Sequence, residues 1–122
     1  MVHEHHPRRS LEEYREFRAE MNERILESGH LGLKRFFALD DRAYEEGALD
    51  SPIKELLGLV SSLVLRCDDC VTYHLDRCVH LGVSREELVE AMNVGLVVGG
   101  SIVIPHLRRA FATLDALLEE RN

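Results

Sequence analysis

The sequence predicts an all-α protein, a compact bundle of about six helices. Three observations carry this. Apolar residues recur at helical spacing in segment after segment, capping signals precede several of those segments, and none of them alternates with the period of two of a half-buried strand. Residues 94–104 are rich in β-branched side chains, yet no turn chemistry frames them as a hairpin.

Residues 1–9 are polar and read as a disordered tail. Ser10 followed by Glu13 has the signature of a capping box and predicts the start of the first helix. Leu11, Tyr14, Phe17, Met21 and Leu26 supply its apolar spacing, and Ser28-Gly29-His30 ends it. A second helix is expected over about residues 31–46, carrying Leu33, Phe36, Phe37 and Tyr44, with Gly47 as its stop. Asp50-Ser51-Pro52 puts a capping residue ahead of a proline at the first helical position. The third helix that follows carries Ile53, Leu56, Leu57, Val60, Leu63 and Val64, a stripe wide enough to be largely buried.

The polar run Arg66-Cys67-Asp68-Asp69 marks a break before a fourth helix over about residues 68–81, closed by Gly82. Ser84 and Glu87 form a second capping box and open a fifth helix through Leu88, Ala91, Met92, Leu96 and Val97. Gly99-Gly100-Ser101 reads as a hinge. The last helix is expected over about residues 102–119, with Pro105 near its start, where proline is tolerated. These elements suit one domain over residues 10–122.

Composition narrows the function classes. The chain has 122 residues, 45% of them hydrophobic and 30% charged, a balance typical of folded chains rather than disordered ones. Its formal net charge of -7 argues against a nucleic-acid backbone as partner, which would need a basic face. The polar start lacks the apolar run of a signal peptide, and no stretch has the length of a membrane span, so a cytoplasmic location with no membrane partner is expected. The apolar content of the last four helices is generous for a small monomer, which leads us to expect a homo-oligomer.

The chemistry concentrates at Cys67, Cys70 and His74. At i, i+3 and i+7 they share one helix face. Cysteines three apart in a first helical turn have Cα atoms on the order of 5 Å apart, within the range a disulfide needs. Three cysteines, an odd count, argue against a disulfide framework and for redox or metal chemistry at the CxxC pair. Amides at a helix N-terminus favour a thiolate there. Asp68 and Asp69 oppose it, unless one of them caps the helix and faces away. Spacing from His74 favours Cys70 as the base-assisted nucleophile, whereas the dipole favours whichever cysteine is nearer the first turn. Glu55, a carboxylate on an otherwise apolar helix, would be costly to bury unpaired. It can reach His74 if the chain turns near residue 66 or if another subunit supplies it.

Together, Glu55, eleven residues, Cys67-Asp68-Asp69-Cys70, three residues and His74 resemble the site of the alkyl hydroperoxidase D-like, single-repeat branch of the carboxymuconolactone decarboxylase-like superfamily. The surrounding Gly47-Ala48-Leu49-Asp50, Lys54-Glu55-Leu56, Leu81-Gly82-Val83-Ser84 and Gly99-Gly100 are similar too, and the resemblance covers about residues 35–118. It implies an all-helical fold assembled as trimers or hexamers. It implies that Cys70 attacks a small-molecule or lipid hydroperoxide and becomes a sulfenic acid, and that Cys67 resolves this to a disulfide. His74 would pass the proton and Glu55 would hold or recharge it. No bound cofactor or metal is implied; an external dithiol, free or lipoyl-linked, would restore the thiols. Lactone decarboxylases of the superfamily usually lack the cysteine pair, so its presence disfavours that reaction.

Other readings stand beside this one: a non-enzymatic redox-sensing module, or a lactone enzyme using His74 or His106 as acid or base. A zinc site of Cys67, Cys70, His74 and Cys78 is weakened by distance, since on one helix Cys67 and Cys78 would lie about 16 Å apart, although Cys67, Cys70 and His74 alone could bind an adventitious metal. Cys78, at i+4 from His74, reads as a second resolving thiol or a packed residue. His106 reads as a pocket residue or as a helix-start histidine with a structural hydrogen bond. Arg108-Arg109 reads as a solvated face or an interface pair.

Overall fold

The computed structural model describes residues 7–121, with side chains from Leu11 onward. Within this range lie six α-helices and one short 3₁₀ turn, and among the described residues there is no strand. The all-α expectation is met. Contacts group the chain into two compact units, Met1–Glu45 and Glu46–Asn122, where the sequence suggested a single boundary at residue 10.

The first unit holds α1 (Pro7–Glu27) and α2 (Leu31–Ala43). Helix α1 begins at Pro7, not at Ser10, so Ser10 lies inside the helix and the expected capping box does not form its start. A proline in the first turn has its backbone angle preset and lacks an N–H that would need a partner, which favours the earlier start. The first six residues of the expected tail lie outside the described residues; residues 7–9 are helical. Gly29 adopts φ 74° after α1, and His30 caps α2 by accepting a bond from the Leu33 amide. Helix α2 stops at Ala43, short of Gly47. Its last turn tightens instead, with Tyr44 and Glu45 amides bonded to the Asp41 and Arg42 carbonyls. No residue of α2 is buried.

The second unit carries α3 (Ser51–Val64), α4 (Asp68–His80), α5 (Arg85–Gly99), the 3₁₀ turn Ser101–Val103 and α6 (Ile104–Arg121). Helix α3 packs on α4 and α5, and α4 on α6. Asp50 caps α3 by accepting from the Ile53 amide at 3.0 Å, with Pro52 in the first turn. The core comprises Leu59, Leu63, Leu75, Leu88, Met92, Leu114 and Leu117, all fully buried. Each side chain of this size contributes about 1.5–3 kcal/mol by leaving water. The Ser84–Glu87 capping box forms as expected, with bonds of 2.9 and 3.1 Å. Gly100 takes φ 82°, and the 3₁₀ turn after it delays the last helix to residue 104.

The joint between α3 and α4 positions the site. The Cys67 amide bonds back to the Ser62 carbonyl and the Arg66 amide to the Leu63 carbonyl. This crossed pair is a Schellman termination, which needs a left-handed residue, normally glycine. Here Arg66 fills it, with φ 62°. Cys67 then serves at once as the last residue of that motif and as the N-cap of α4. The two helices therefore meet without a loop. Gly82 terminates α4 by the same pair of bonds, from Val83 to Cys78 and from Gly82 to Val79. No helix among the described residues is long and apolar enough to cross a membrane.

Candidate active site

Cys67 and Cys70 are joined by a disulfide, with Cα atoms 5.3 Å apart. Their place in the helix explains the reach. Cys67 is the N-cap and Cys70 the third helical residue, and Cys67 Sγ accepts the Cys70 amide at 3.3 Å. The helix cap is thus a cysteine; the sequence had suggested one of the aspartates for that role. A thiolate at this cap would sit among unpaired amides at the positive end of the helix dipole, which lowers a thiol pKa. Cys70 is exposed and Cys67 half-buried.

His74 follows one turn after Cys70 and is buried. Glu55, on α3, is buried as well, only 3% exposed. The turn at Arg66 folds α3 back along α4, so the imidazole Nδ1 donates to Glu55 Oε1 at 2.8 Å within one chain. Arg77 Nε stands 3.8 Å from the other carboxylate oxygen. The charge on a buried carboxylate is thereby offset from two sides, the condition for keeping it in a core. The Tyr73 ring meets His74 edge-on, with centroids 5.2 Å apart.

Gly58, one turn after Glu55 on α3, makes room for the imidazole. A Cβ at this position would lie 2.6 Å from His74 Cε1 and 2.8 Å from each ring nitrogen. The sequence reading passed over Gly58. A small residue at i+3 from a buried acid is the signal that could have found it.

Cys78, one turn past His74, is fully buried. Burial, then the Glu55 carboxylate, pushes its thiol up to about 12, with Arg77 acting the other way. Of the two readings of Cys78, the structure favours the packed residue: a protonated thiol without access to solvent is inert.

Asp68 turns toward α6. Its Oδ1 accepts from His106 Nδ1 at 2.8 Å and its Oδ2 from Arg109 Nε at 2.9 Å. Partial burial alone would raise its pKa, but these hydrogen bonds and the neighbouring charges hold it below the ordinary carboxylate value. His106 is thus a helix-start histidine with a hydrogen bond, in the third position of α6, and Arg109 is more than a solvated charge. That both converge on the carboxylate between the two cysteines was not legible beforehand, because 38 and 41 residues separate the partners.

The family model for the carboxymuconolactone decarboxylase family matches residues 31–113. This chain belongs to the carboxymuconolactone decarboxylase family. Among its relatives, an uncharacterised protein of Cupriavidus necator is 31% identical over 75 residues, 62% of this chain and 66% of that protein, just under two thirds of its length. An uncharacterised protein of the cox locus of Paracoccus denitrificans is 28% identical, over 67% of this chain and 74% of that one. Two crystal structures of TM1620 from Thermotoga maritima superpose with TM-scores of 0.87 and 0.86 at 57% and 56% identity, each over 89% of this chain and over 96% and 92% of theirs. One of them is described as a family protein with possible involvement in the antioxidative response. The family protein lpg0406 of Legionella pneumophila gives a TM-score of 0.72 at 27% identity, over 90% of this chain and 96% of that one.

Proposed function

We propose that this member of the carboxymuconolactone decarboxylase family is a thiol–disulfide oxidoreductase that reduces hydroperoxides through Cys67 and Cys70. The observation that carries the reading is the disulfide at the first turn of α4, on the same helix as an imidazole bound to a buried carboxylate. Similarity to a Thermotoga protein with possible antioxidative involvement supports it.

The chemistry proceeds in three steps. The exposed Cys70 attacks the terminal peroxide oxygen as a thiolate, the O–O bond breaks, and Cys70 becomes a sulfenic acid. The departing alkoxide takes a proton and leaves as the alcohol. Cys67 then attacks the Cys70 sulfur, the S–O bond breaks, and hydroxide leaves as water once protonated. An external dithiol, free or lipoyl-linked, exchanges with the disulfide and departs oxidised. His74 serves as the proton acceptor and donor for these steps, and Glu55 fixes its tautomer and orientation.

The proposed enzyme works in the cytoplasm, where a reducing poise keeps the pair available for turnover. It works as a homo-oligomer, a trimer or hexamer. The exposed apolar Val94, Val97 and Val98 on one face of α5 support an assembly. The deciding assay follows consumption of an organic hydroperoxide driven by a dithiol. Wild type should turn over and Cys70→Ser should not. Turnover that survives Cys70→Ser would overturn the reading.

A further inference from the structure

The carboxylate of Asp68 lies between the two redox cysteines in sequence and is held from another helix. Next to a thiol, an unpaired carboxylate disfavours the thiolate. Asp68 is not left unpaired: His106 bonds one of its oxygens and Arg109 the other. The guanidinium is itself steadied by a bond from its Nη1 to the Pro105 carbonyl at 3.4 Å. Within α4 the neighbouring acid is Asp69, and the preceding joint contributes Arg66; the groups bonded to Asp68 come from α6, the helix packed on α4.

We propose that His106 and Arg109 are positioning residues that neutralise the carboxylate between the two cysteines and so tilt the Cys67–Cys70 pair toward its reduced, thiolate-bearing form. This rests on the oxidoreductase reading above and extends it to the redox balance of the same site. Reduction of the disulfide takes two electrons and two protons from a dithiol, which leaves as its own disulfide. Above the pKa of the more acidic thiol, one proton passes to solvent and a thiolate remains at the α4 N-terminus. Whatever stabilises that thiolate stabilises the reduced form and makes the pair a stronger oxidant of its dithiol. With its charge shared by α6, Asp68 opposes this less than an unpaired carboxylate would. It ties the turn that carries the cysteines to the start of α6.

The test measures the thiol pKa of the reduced protein from the pH dependence of alkylation, together with the equilibrium against dithiothreitol. Arg109→Gln should raise the more acidic thiol pKa by about half a unit to one unit, and Asp68→Asn should lower it by a similar amount. The equilibrium constant for reduction should fall about threefold to tenfold in Arg109→Gln and rise in Asp68→Asn, where tenfold corresponds to about 30 mV. In Arg109→Gln combined with Asp68→Asn the thiol pKa should return below the Arg109→Gln value and the equilibrium constant above it. An unchanged thiol pKa in either single variant, or a rise in Asp68→Asn, would overturn the proposal. So would a loss of thermal stability in Asp68→Asn with no change in pKa, since the contact would then be only a strut. The alkylation series reads the thiols without hydroperoxide, so a failure of the peroxidase reading, seen as turnover in Cys70→Ser, is separable from a failure here.

Discussion

The imidazole of His74 lies over Gly58 at a distance that leaves no space for a methyl group, since a Cβ there would stand 2.6 Å from Cε1. Glu55 binds the same ring from one turn earlier on the same helix. One helix therefore both supports and orients the imidazole.

Gly58→Ala should consequently displace His74. Overpacking of this kind costs about 1–3 kcal/mol. Hydroperoxide turnover should fall at least tenfold while the disulfide still forms. Thermal melting and a mass measurement of the oxidised pair check both parts; a variant with wild-type melting and turnover would contradict the contact.

Removing one partner of the buried pair should cost more than removing both charges. His74→Ala leaves the Glu55 carboxylate with Arg77 at 3.8 Å and should destabilise by about 3–5 kcal/mol. Adding Glu55→Gln to His74→Ala should recover part of that loss. Glu55→Gln alone should lower turnover by about 10²-fold if the carboxylate holds the working tautomer. Chemical denaturation of the single and double variants gives the coupling directly.

Cys78 yields a pH signature. Its folded-state pKa lies above that of the unfolded chain, so its contribution to stability is intact below about pH 9 and is lost as pH rises toward 12. Across this window the unfolded thiol ionises and the buried one does not. Cys78→Val should remove that part of the slope, about 1–2 kcal/mol between pH 7 and pH 10. The same variant should keep its hydroperoxide turnover, since the thiol has no access to substrate. Denaturation at pH 7 and pH 10 compares the two proteins.

Arg66 occupies a left-handed conformation with φ 62°, which costs a side-chain-bearing residue about 1–2 kcal/mol. Arg66→Gly should relieve this and leave the melting temperature unchanged or higher. Arg66→Val, β-branched in the same conformation, should lower it by several degrees. Equal melting in all three would contradict the strained joint.

The local signals were legible where one residue's chemistry decides one backbone bond. Asp50 ahead of Pro52, the Ser84–Glu87 box and Gly82 all act within a turn of themselves, and each is found where expected. Ser10 carried the same kind of signal and lost to Pro7, because two start signals three residues apart compete and the earlier one extends the helix. The polar run that opens with Arg66 announced a break there, but nothing in an arginine side chain announces a left-handed backbone. At the site, the in-chain meeting of Glu55 and His74 could be framed only as dependent on a turn near residue 66. That turn exists, and the pairing follows from it. The link from Asp68 to His106 and Arg109 was hidden because it depends on how α4 and α6 cross, which no residue within either helix encodes alone.

A hinge without slack is also a hinge without tolerance for insertion. Because Cys67 closes one helix while opening the next, a single extra residue at this point would turn everything after it by about 100° about the helix axis. The sulfurs would then face a different quadrant from the acid on the preceding helix. Length variation among descendants of this chain should accumulate away from this corner, and the spacing from Glu55 to Cys67 should behave as a fixed gauge.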